Sequence, residues 1–96
     1  MFVLITYDVA VTTDDGKKRL RAISRECQNY GQRVQNSVFE CILQYSTYKT
    51  LQKKLLSIMD KSADSLRFYV LGNSYKEKVE HYGAKPGYDP EGPLII

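Results

Sequence analysis

The spacing of apolar residues is the feature that most constrains the fold of this chain. Residues 2 to 9 read FVLITYDV, a nearly continuous apolar run rich in β-branched and aromatic residues. Such a run is typical of a central strand that is covered on at least one face. The polar stretch Thr12 to Gly16 then supplies side chains that can accept hydrogen bonds from the free N–H groups of a helix. The pattern therefore predicts a strand ending near Asp8 and a helix beginning near Gly16.

The next apolar residues recur at spacings of three and four, which indicates a helix with one apolar stripe. The stripe consists of Leu20, Ile23, Cys27 and Tyr30. We expect Gly31 to end this helix as a left-handed cap. On the outward side, Lys17 or Lys18, Arg21 and Arg25 lie three to four residues apart, so their cationic groups should form one ridge.

The middle of the chain predicts two more strands, a second helix and a further strand. Residues 33 to 43, RVQNSVFECIL, are interrupted by the polar Gln35-Asn36-Ser37, which indicates a hairpin or a bulge. Ser46 or Thr47 is the expected cap of a second helix. Its apolar stripe consists of Tyr48, Leu51, Leu55, Ile58 and Met59. Residues 65 to 72, SLRFYVLG, alternate in the manner of a half-buried strand.

The element order βαββαβ predicts an α+β fold of the ferredoxin-like type, with an antiparallel sheet and both helices on one face. The other face of the sheet is then left without cover. We assign residues 1–78 to this ferredoxin-like domain and residues 79–96 to a C-terminal dimerisation segment of the same domain. Its apolar end, Leu94-Ile95-Ile96, should pair as a strand with the sheet of a second copy, forming a homodimer.

Charge and composition indicate what kind of partner the chain binds and in which compartment it lies. Between residues 17 and 33 the chain carries six basic side chains against one acidic one. This cluster fits a polyanion partner such as nucleic acid, although a solvated helix face would also explain it. Cys27 and Cys41 have neither metal-binding nor redox spacing, and no apolar run is long enough to span a membrane. We expect a cytoplasmic protein that does not insert into a membrane.

Asp8 is the residue that best fits a role in chemistry, because it places a carboxylate where the first strand meets the following loop. The alternative is that it only accepts backbone N–H groups in the turn. Mg²⁺ is commonly held by one or two carboxylates, waters and substrate phosphates, and a two-fold dimer would add a second Asp8. Such a pair could hold a metal that activates water against a phosphodiester. We interpret the single histidine, His81, as a strand or surface residue.

Three features together resemble the CRISPR-associated protein two family, the small subunit of the spacer-acquisition machinery. They are the strand ending in Tyr7-Asp8, the basic helix with Arg19 and Arg21, and the run GQRVQNSVFE at residues 31–40. The continuation through RFYVLG and KVEHYGAKP looks most like the subtype I-C branch. The resemblance extends over essentially the whole chain.

The resemblance implies a ferredoxin-like homodimer that exchanges C-terminal strands and joins the integrase subunit. It also implies a metal-dependent endonuclease that acts on double-stranded DNA or, in other branches, on single-stranded RNA, with Mg²⁺ or alternatively Mn²⁺ as cofactor. Asp8 would be the catalytic metal ligand and Tyr7 its catalytic neighbour, with Arg33 and Phe39 in support. With the basic ridge, the expected nucleic-acid contacts are Lys18, Arg19, Arg21, Arg25 and Arg33.

Two other functions fit parts of the sequence. A non-catalytic dimer could hold a duplex by its phosphates while another protein carries out integration, because phosphate contacts need no reading of sequence. A small-molecule sensor of ferredoxin-like fold is the weaker alternative, since no segment resembles a ligand loop. The basic residues suit both DNA-binding functions, so Asp8 is the residue that discriminates between them.

Overall fold

The computed structural model describes residues 1–71 and 78–84. These residues form two helices and five strands. In chain order the elements are β1 (Phe2–Asp8), α1 (Asp14–Tyr30), β2 (Gly31–Gln35), β3 (Val38–Ile42), α2 (Tyr45–Ile58), β4 (Ser65–Leu71) and β5 (Lys78–Gly83). The predicted order βαββαβ is confirmed, and a fifth strand follows it. Neither helix of the described residues is long and apolar enough to cross a membrane.

The strands form one sheet in the order β2-β3-β1-β4-β5, and every neighbouring pair is antiparallel. The first four strands have the ferredoxin-like order, so the predicted α+β class is confirmed. The predicted boundary between residues 78 and 79 falls inside β5, which pairs with β4 of its own chain. The apolar end, Leu94-Ile95-Ile96, lies outside the described residues.

The two helices cover one face of the sheet, and the core lies between them and β1. Val3, Ile5 and Tyr7 of β1 are buried there. Ile23 and Cys27 of α1 and Leu51 and Leu55 of α2 complete this contact. Burying each large apolar side chain contributes about 1.5–3 kcal/mol, so this layer supplies the main stabilisation of the fold. The other residues of β1 lie on the opposite face, which we name the open face: Phe2, Leu4, Thr6 and Asp8.

The bounds of α1 agree with the prediction to within two residues and the predicted side-chain cap is confirmed, but the predicted role of Gly31 is wrong. The helix begins at Asp14, where the Thr13 hydroxyl accepts a hydrogen bond of 3.1 Å from the Gly16 N–H. Gly31 is not a left-handed cap, because its φ of −157° and ψ of −166° are extended and it begins β2. A Cβ at Gly31 would overlap the Glu40 carbonyl oxygen and the Cys41 Sγ. This position therefore needs glycine for close packing against β3 and not for a turn.

The predicted hairpin between β2 and β3 is confirmed, and the pairing also contains a register shift between Arg33 and Gln35. The predicted cap of α2 is wrong. The helix begins at Tyr45 after Gln44, which makes no side-chain capping bond, so Ser46 and Thr47 lie inside its first turn. Packing of the apolar stripe fixes the start of this helix more strongly than the capping preference of serine and threonine does.

Candidate functional site

Asp8 is exposed at the last position of β1, on the open face of the sheet. Its Cα pairs with that of Ser65 on β4. Because successive side chains of a strand point to opposite faces, Asp8 and Tyr7 project in opposite directions. The structure therefore does not bring the two predicted catalytic neighbours into one cluster.

Tyr7 lies on the face that the helices cover, and its side chain is only 5% exposed. Its hydroxyl donates a 3.2 Å hydrogen bond to the carbonyl oxygen of Asn36, and its ring stacks on Phe39 with centroids 6.2 Å apart. Burial raises the pKa of Tyr7, against the lowering effect of Ser24 and Arg33. The phenol therefore stays protonated at neutral pH and can donate a hydrogen bond but not act as a base.

Arg33 and Phe39, the two predicted supporting residues, are in contact. The Arg33 guanidinium lies 5.2 Å from the centre of the Phe39 ring, and it donates a hydrogen bond to the Ser24 hydroxyl. Arg33 is exposed and Phe39 is buried, so the ring packs against one side of the guanidinium while the rest of the cation faces solvent. Together they connect the β2–β3 hairpin to α1.

A surface groove of about 550 Å³ opens between α1 and this hairpin. Three of the residues that line it are predicted nucleic-acid contacts, namely Arg21, Arg25 and Arg33. Tyr7, Ser24 and Asn36 add polar groups to its wall, and none of the described residues that line it is acidic. We name this feature the arginine groove. Its concentration of positive charge and hydrogen-bond donors suits phosphate oxygens.

The other two predicted contacts on α1 have different surroundings. Lys18 is exposed to solvent, whereas the Arg19 Nε donates to the Asp64 Oδ2 at 2.8 Å. The Asp64 carboxylate is fully buried and also accepts the backbone N–H groups of Ala10 at 3.1 Å and Asp60 at 2.9 Å. Arg19 therefore joins α1 to the loop before β4, and its guanidinium is oriented by an internal partner.

Burial alone would raise the pKa of Asp64, but the bonds from Arg19, Asp60 and Ala10 outweigh it and lower the pKa. Asp64 thus remains ionised and fixes the end of β1 relative to α1 and β4. Sequence analysis gave Asp64 no role. Its partners lie 4 to 54 residues away in the chain, so only the folded arrangement brings them together.

His81 and Arg67 lie on the open face with Asp8. The His81 Nε2 is 3.0 Å from the Ser65 Oγ, and the Cα of His81 pairs with that of Arg67 across β4 and β5. The pKa of His81 is lowered, first by partial burial and then by the positive charge of Arg67. Its predicted place on a strand is confirmed, but the sequence gave no sign that it lies near Asp8.

Within residues 1–71 and 78–84, no group of three or more histidine, cysteine, aspartate or glutamate side chains could enclose a metal ion. The chain presents the Asp8 carboxylate on its open face. A hard oxygen ligand of this kind suits Mg²⁺, which retains waters and accepts substrate phosphates as further ligands. Asp8 therefore fits a metal that a second chain or a substrate helps to hold.

Comparison with known proteins identifies the family. The family model described as CRISPR associated protein Cas2 matches residues 1–79. The chain belongs to this family. Over 96 residues it is 59% identical to the CRISPR-associated endonuclease Cas2 of Halalkalibacterium halodurans, covering 100% of both chains. It is 57% identical to the CRISPR-associated endoribonuclease Cas2 of Nitratidesulfovibrio vulgaris, covering 100% of this chain and 94% of that relative.

A solved structure supports the same assignment. The crystal structure of Streptococcus pyogenes Cas2 at pH 6.5 superposes with a TM-score of 0.71 at 48% sequence identity. The superposition covers 78% of this chain and 90% of that one. The Cas2 resemblance predicted from the sequence is confirmed, and so is the ferredoxin-like fold that it implied.

Proposed function

We propose that this Cas2 protein is a metal-dependent endonuclease that hydrolyses phosphodiester bonds of double-stranded DNA during CRISPR adaptation. The observation that carries the proposal is the exposed Asp8 carboxylate at the end of a central strand, on the face that the helices leave open. Relatives named endonuclease and endoribonuclease support nuclease chemistry. In this hydrolysis the oxygen of water bonds to phosphorus, and the bond to the leaving oxygen breaks as that oxygen takes a proton.

The active form that we propose is a homodimer in the prokaryotic cytoplasm, working with the integrase subunit. The open face carries half-buried Phe2 and Leu4, and Ile42 beside Phe2 is 81% exposed. Apolar surface of this kind is stabilised by burial against a second copy. A two-fold arrangement of these faces would bring two Asp8 carboxylates together as ligands for Mg²⁺, or for Mn²⁺ in its place. The ion would supply a Lewis acid for the phosphoryl oxygen.

Nucleic-acid binding is assigned to Lys18 and to the arginine groove with Arg21, Arg25 and Arg33. Arg19 supports this surface indirectly, because its guanidinium is held by Asp64. Since the groove and Asp8 are on opposite faces of the sheet, one chain does not present both to the same phosphate. Binding and cutting should therefore be separable by substitution.

That separation favours a second function, a dimeric scaffold that holds DNA for the integrase without cutting it. The arginine groove alone would serve such a scaffold. Asp8 distinguishes the two functions, because a scaffold has no need of a carboxylate on the open face.

The test compares wild type with Asp8→Ala for cleavage of duplex DNA and single-stranded RNA in Mg²⁺, and for support of spacer acquisition. Asp15→Ala, which removes an exposed carboxylate from α1, is the matched control. We expect Asp8→Ala to lower duplex cleavage on the order of 100-fold or more, and Asp15→Ala to cut as wild type does. Equal cutting by Asp8→Ala would contradict the proposal. Lost cutting with intact acquisition would favour the scaffold, and loss of RNA cleavage alone would make RNA the substrate.

A further inference from the structure

The open face places polar side chains around Asp8 that come from β4 and β5. Asp8 pairs with Ser65, and Ser65 pairs with Gly83. Two residues along each strand, Thr6 pairs with Arg67, and Arg67 pairs with His81. Cross-strand neighbours have Cβ atoms about 4.5–5.5 Å apart, and diagonal ones such as Asp8 and Arg67 are about 7–8 Å apart, within reach of a long side chain.

The side chains of β4 and β5 in this cluster are close to one another. His81 contacts the hydroxyl of Ser65 at 3.0 Å, and Ser65 is buried. Gly83, opposite Ser65, adds no side chain, and its φ of +123° lets the backbone pass close to Asp64. Arg67 and His81 are cross-strand partners on β4 and β5, so their side chains lie on the same face of the sheet. Arg67, Ser65 and His81 therefore form one polar cluster next to Asp8.

The two other acidic side chains of the neighbouring strands, Glu80 and Glu40, do not lie beside Asp8. Glu80 belongs to the helix side, where its carboxylate accepts hydrogen bonds from Tyr48 at 2.8 Å and Tyr82 at 3.0 Å. Glu40 is exposed on the open face, but its Cα pairs with Leu4, two residues from Thr6 and four from Asp8. Among the described residues, Arg67 is thus the arginine that the sheet register places beside Asp8.

A cutting site at Asp8 would gain from such a cation in addition to a metal ion. A carboxylate repels the phosphodiester that it must approach, and the charges of the arginine groove lie on the other side of the sheet. Arginine also presents a planar set of donors that matches two oxygens of one phosphate. Ser65 and His81 add neutral hydrogen-bonding groups on the same side.

We infer that Arg67 contacts the phosphate of the nucleic-acid phosphodiester that is cut at Asp8, and that Ser65 and His81 position this contact. The inference rests on the proposed nuclease function and adds residues of β4 and β5 to its site. Arg67 donates to the non-bridging oxygens of the phosphate. The Ser65–His81 hydrogen bond holds the end of β5 beside β4, so the guanidinium and Asp8 keep their spacing.

The experiment uses the full chain with Arg67→Gln, Arg67→Lys and, as matched control, Lys53→Gln, an exposed cation of α2 that has no assigned role. Initial rates on duplex DNA in Mg²⁺ give kcat and KM. Binding of the same duplex in EDTA at several salt concentrations gives the salt slope without cleavage. We expect Arg67→Gln to lower kcat/KM on the order of 100-fold. We expect Arg67→Lys to recover part of this loss, because it keeps the charge but not the planar donors.

The binding measurement adds a readout that a merely structural residue would not change. Loss of one phosphate contact should reduce the slope of log K against log salt by about 1 in Arg67→Gln, with no change in Lys53→Gln. If Asp8→Ala is inactive while Arg67→Gln cuts and binds as wild type does, the inference is wrong and the proposed function stands. Equal losses in Arg67→Gln and Arg67→Lys with an unchanged slope would also overturn it.

The two proposals can fail separately. If Asp8→Ala cuts as well as wild type, the nuclease site at Asp8 is wrong, and so is the link between Arg67 and cutting. The salt slope then decides whether Arg67 contacts a phosphate at all. A reduced slope would keep Arg67 as a phosphate contact of the open face. An unchanged slope would remove it.

Discussion

The two faces of the sheet carry different chemistry, although one strand supplies both. On the helix side, Tyr7 borders a groove with three arginines and no acidic residue among those described. On the open face, Asp8 lies beside Ser65, and among the residues that the structure describes the neighbouring arginine, Arg67, comes from β4. The alternation of side chains along β1 thus separates the arginine groove from the exposed Asp8 carboxylate, so the proposed binding and cutting surfaces lie on opposite faces.

This separation means that the proposed binding and cutting can be tested independently. A substitution on the helix side changes the affinity for phosphates without touching the carboxylate. A substitution on the open face changes the proposed cutting site and leaves the groove intact. Binding and cleavage assays on variants that change one face at a time can therefore measure the difference between the faces.

The largest expected effect is a loss of affinity for duplex DNA when the charge of the arginine groove is reversed by Arg21→Glu and Arg25→Glu together. Each phosphate contact contributes strongly at low salt, so affinity for duplex DNA at about 0.1 M salt should fall about 1,000-fold. Lys53→Glu with Lys61→Glu, which changes two exposed lysines outside the groove by the same charge, is the control. Fluorescence anisotropy with a labelled duplex measures both. Equal weakening by the two pairs would mean that net charge, and not the groove, governs binding.

A smaller effect is expected at Asp64, the residue that connects the two faces by fixing the chain between β1 and α1. Asp64→Ala leaves the Arg19 cation and two backbone N–H groups without their buried acceptor. We expect a loss of about 3 kcal/mol in the free energy of unfolding, at the lower end for a broken buried pair because Arg19 keeps some solvent contact. Urea unfolding at neutral pH measures it. Asp15→Ala, at an exposed carboxylate, should change the free energy of unfolding far less. An equal loss in both variants would show that the buried contacts of Asp64 do not stabilise the fold more than a surface carboxylate does.

The lowered pKa of Asp64 also predicts that the stability of the fold decreases at acid pH. The pKa of Asp64 is lower in the folded chain than its unfolded value of about 3.9. Its stabilisation is therefore complete above the unfolded pKa and is lost as pH falls through the lower folded pKa. Urea midpoints measured between about pH 6 and about pH 2 should fall less steeply in Asp64→Asn than in wild type. Parallel curves would contradict the assignment.

The sequence was sufficient for the elements that depend on local periodicity. The stripe Leu20, Ile23, Cys27 and Tyr30 indicated α1, and the alternation in β4 placed Leu66 and Phe68 in the core. The alternation was incomplete, however, because Tyr69 is buried on the other side of the same strand. A pattern reports which side chains avoid water, but not how much of each face the rest of the molecule covers.

The features that sequence analysis missed depend on contacts between distant segments. Gly31 matched a helix cap locally, but its role is close packing against Glu40 and Cys41 on a neighbouring strand. Arg19 looked like one more surface cation until its partner 45 residues later was in place. The cluster of Arg67 and His81 near Asp8 requires the register of three strands, which no short motif specifies.

The smallest effect tests whether Tyr7 belongs to the helix side alone. Tyr7→Phe removes the hydroxyl that donates to the Asn36 carbonyl, so the free energy of unfolding should fall by about 1 kcal/mol. Tyr45→Phe, at a tyrosine that is 65% exposed, should change it by less than about 0.5 kcal/mol. Urea unfolding of both variants gives the comparison. If Tyr7→Phe is as stable as wild type, the bond from the hydroxyl to the hairpin does not stabilise the fold, and the structural role that we assign to this hydroxyl on the helix side would be wrong.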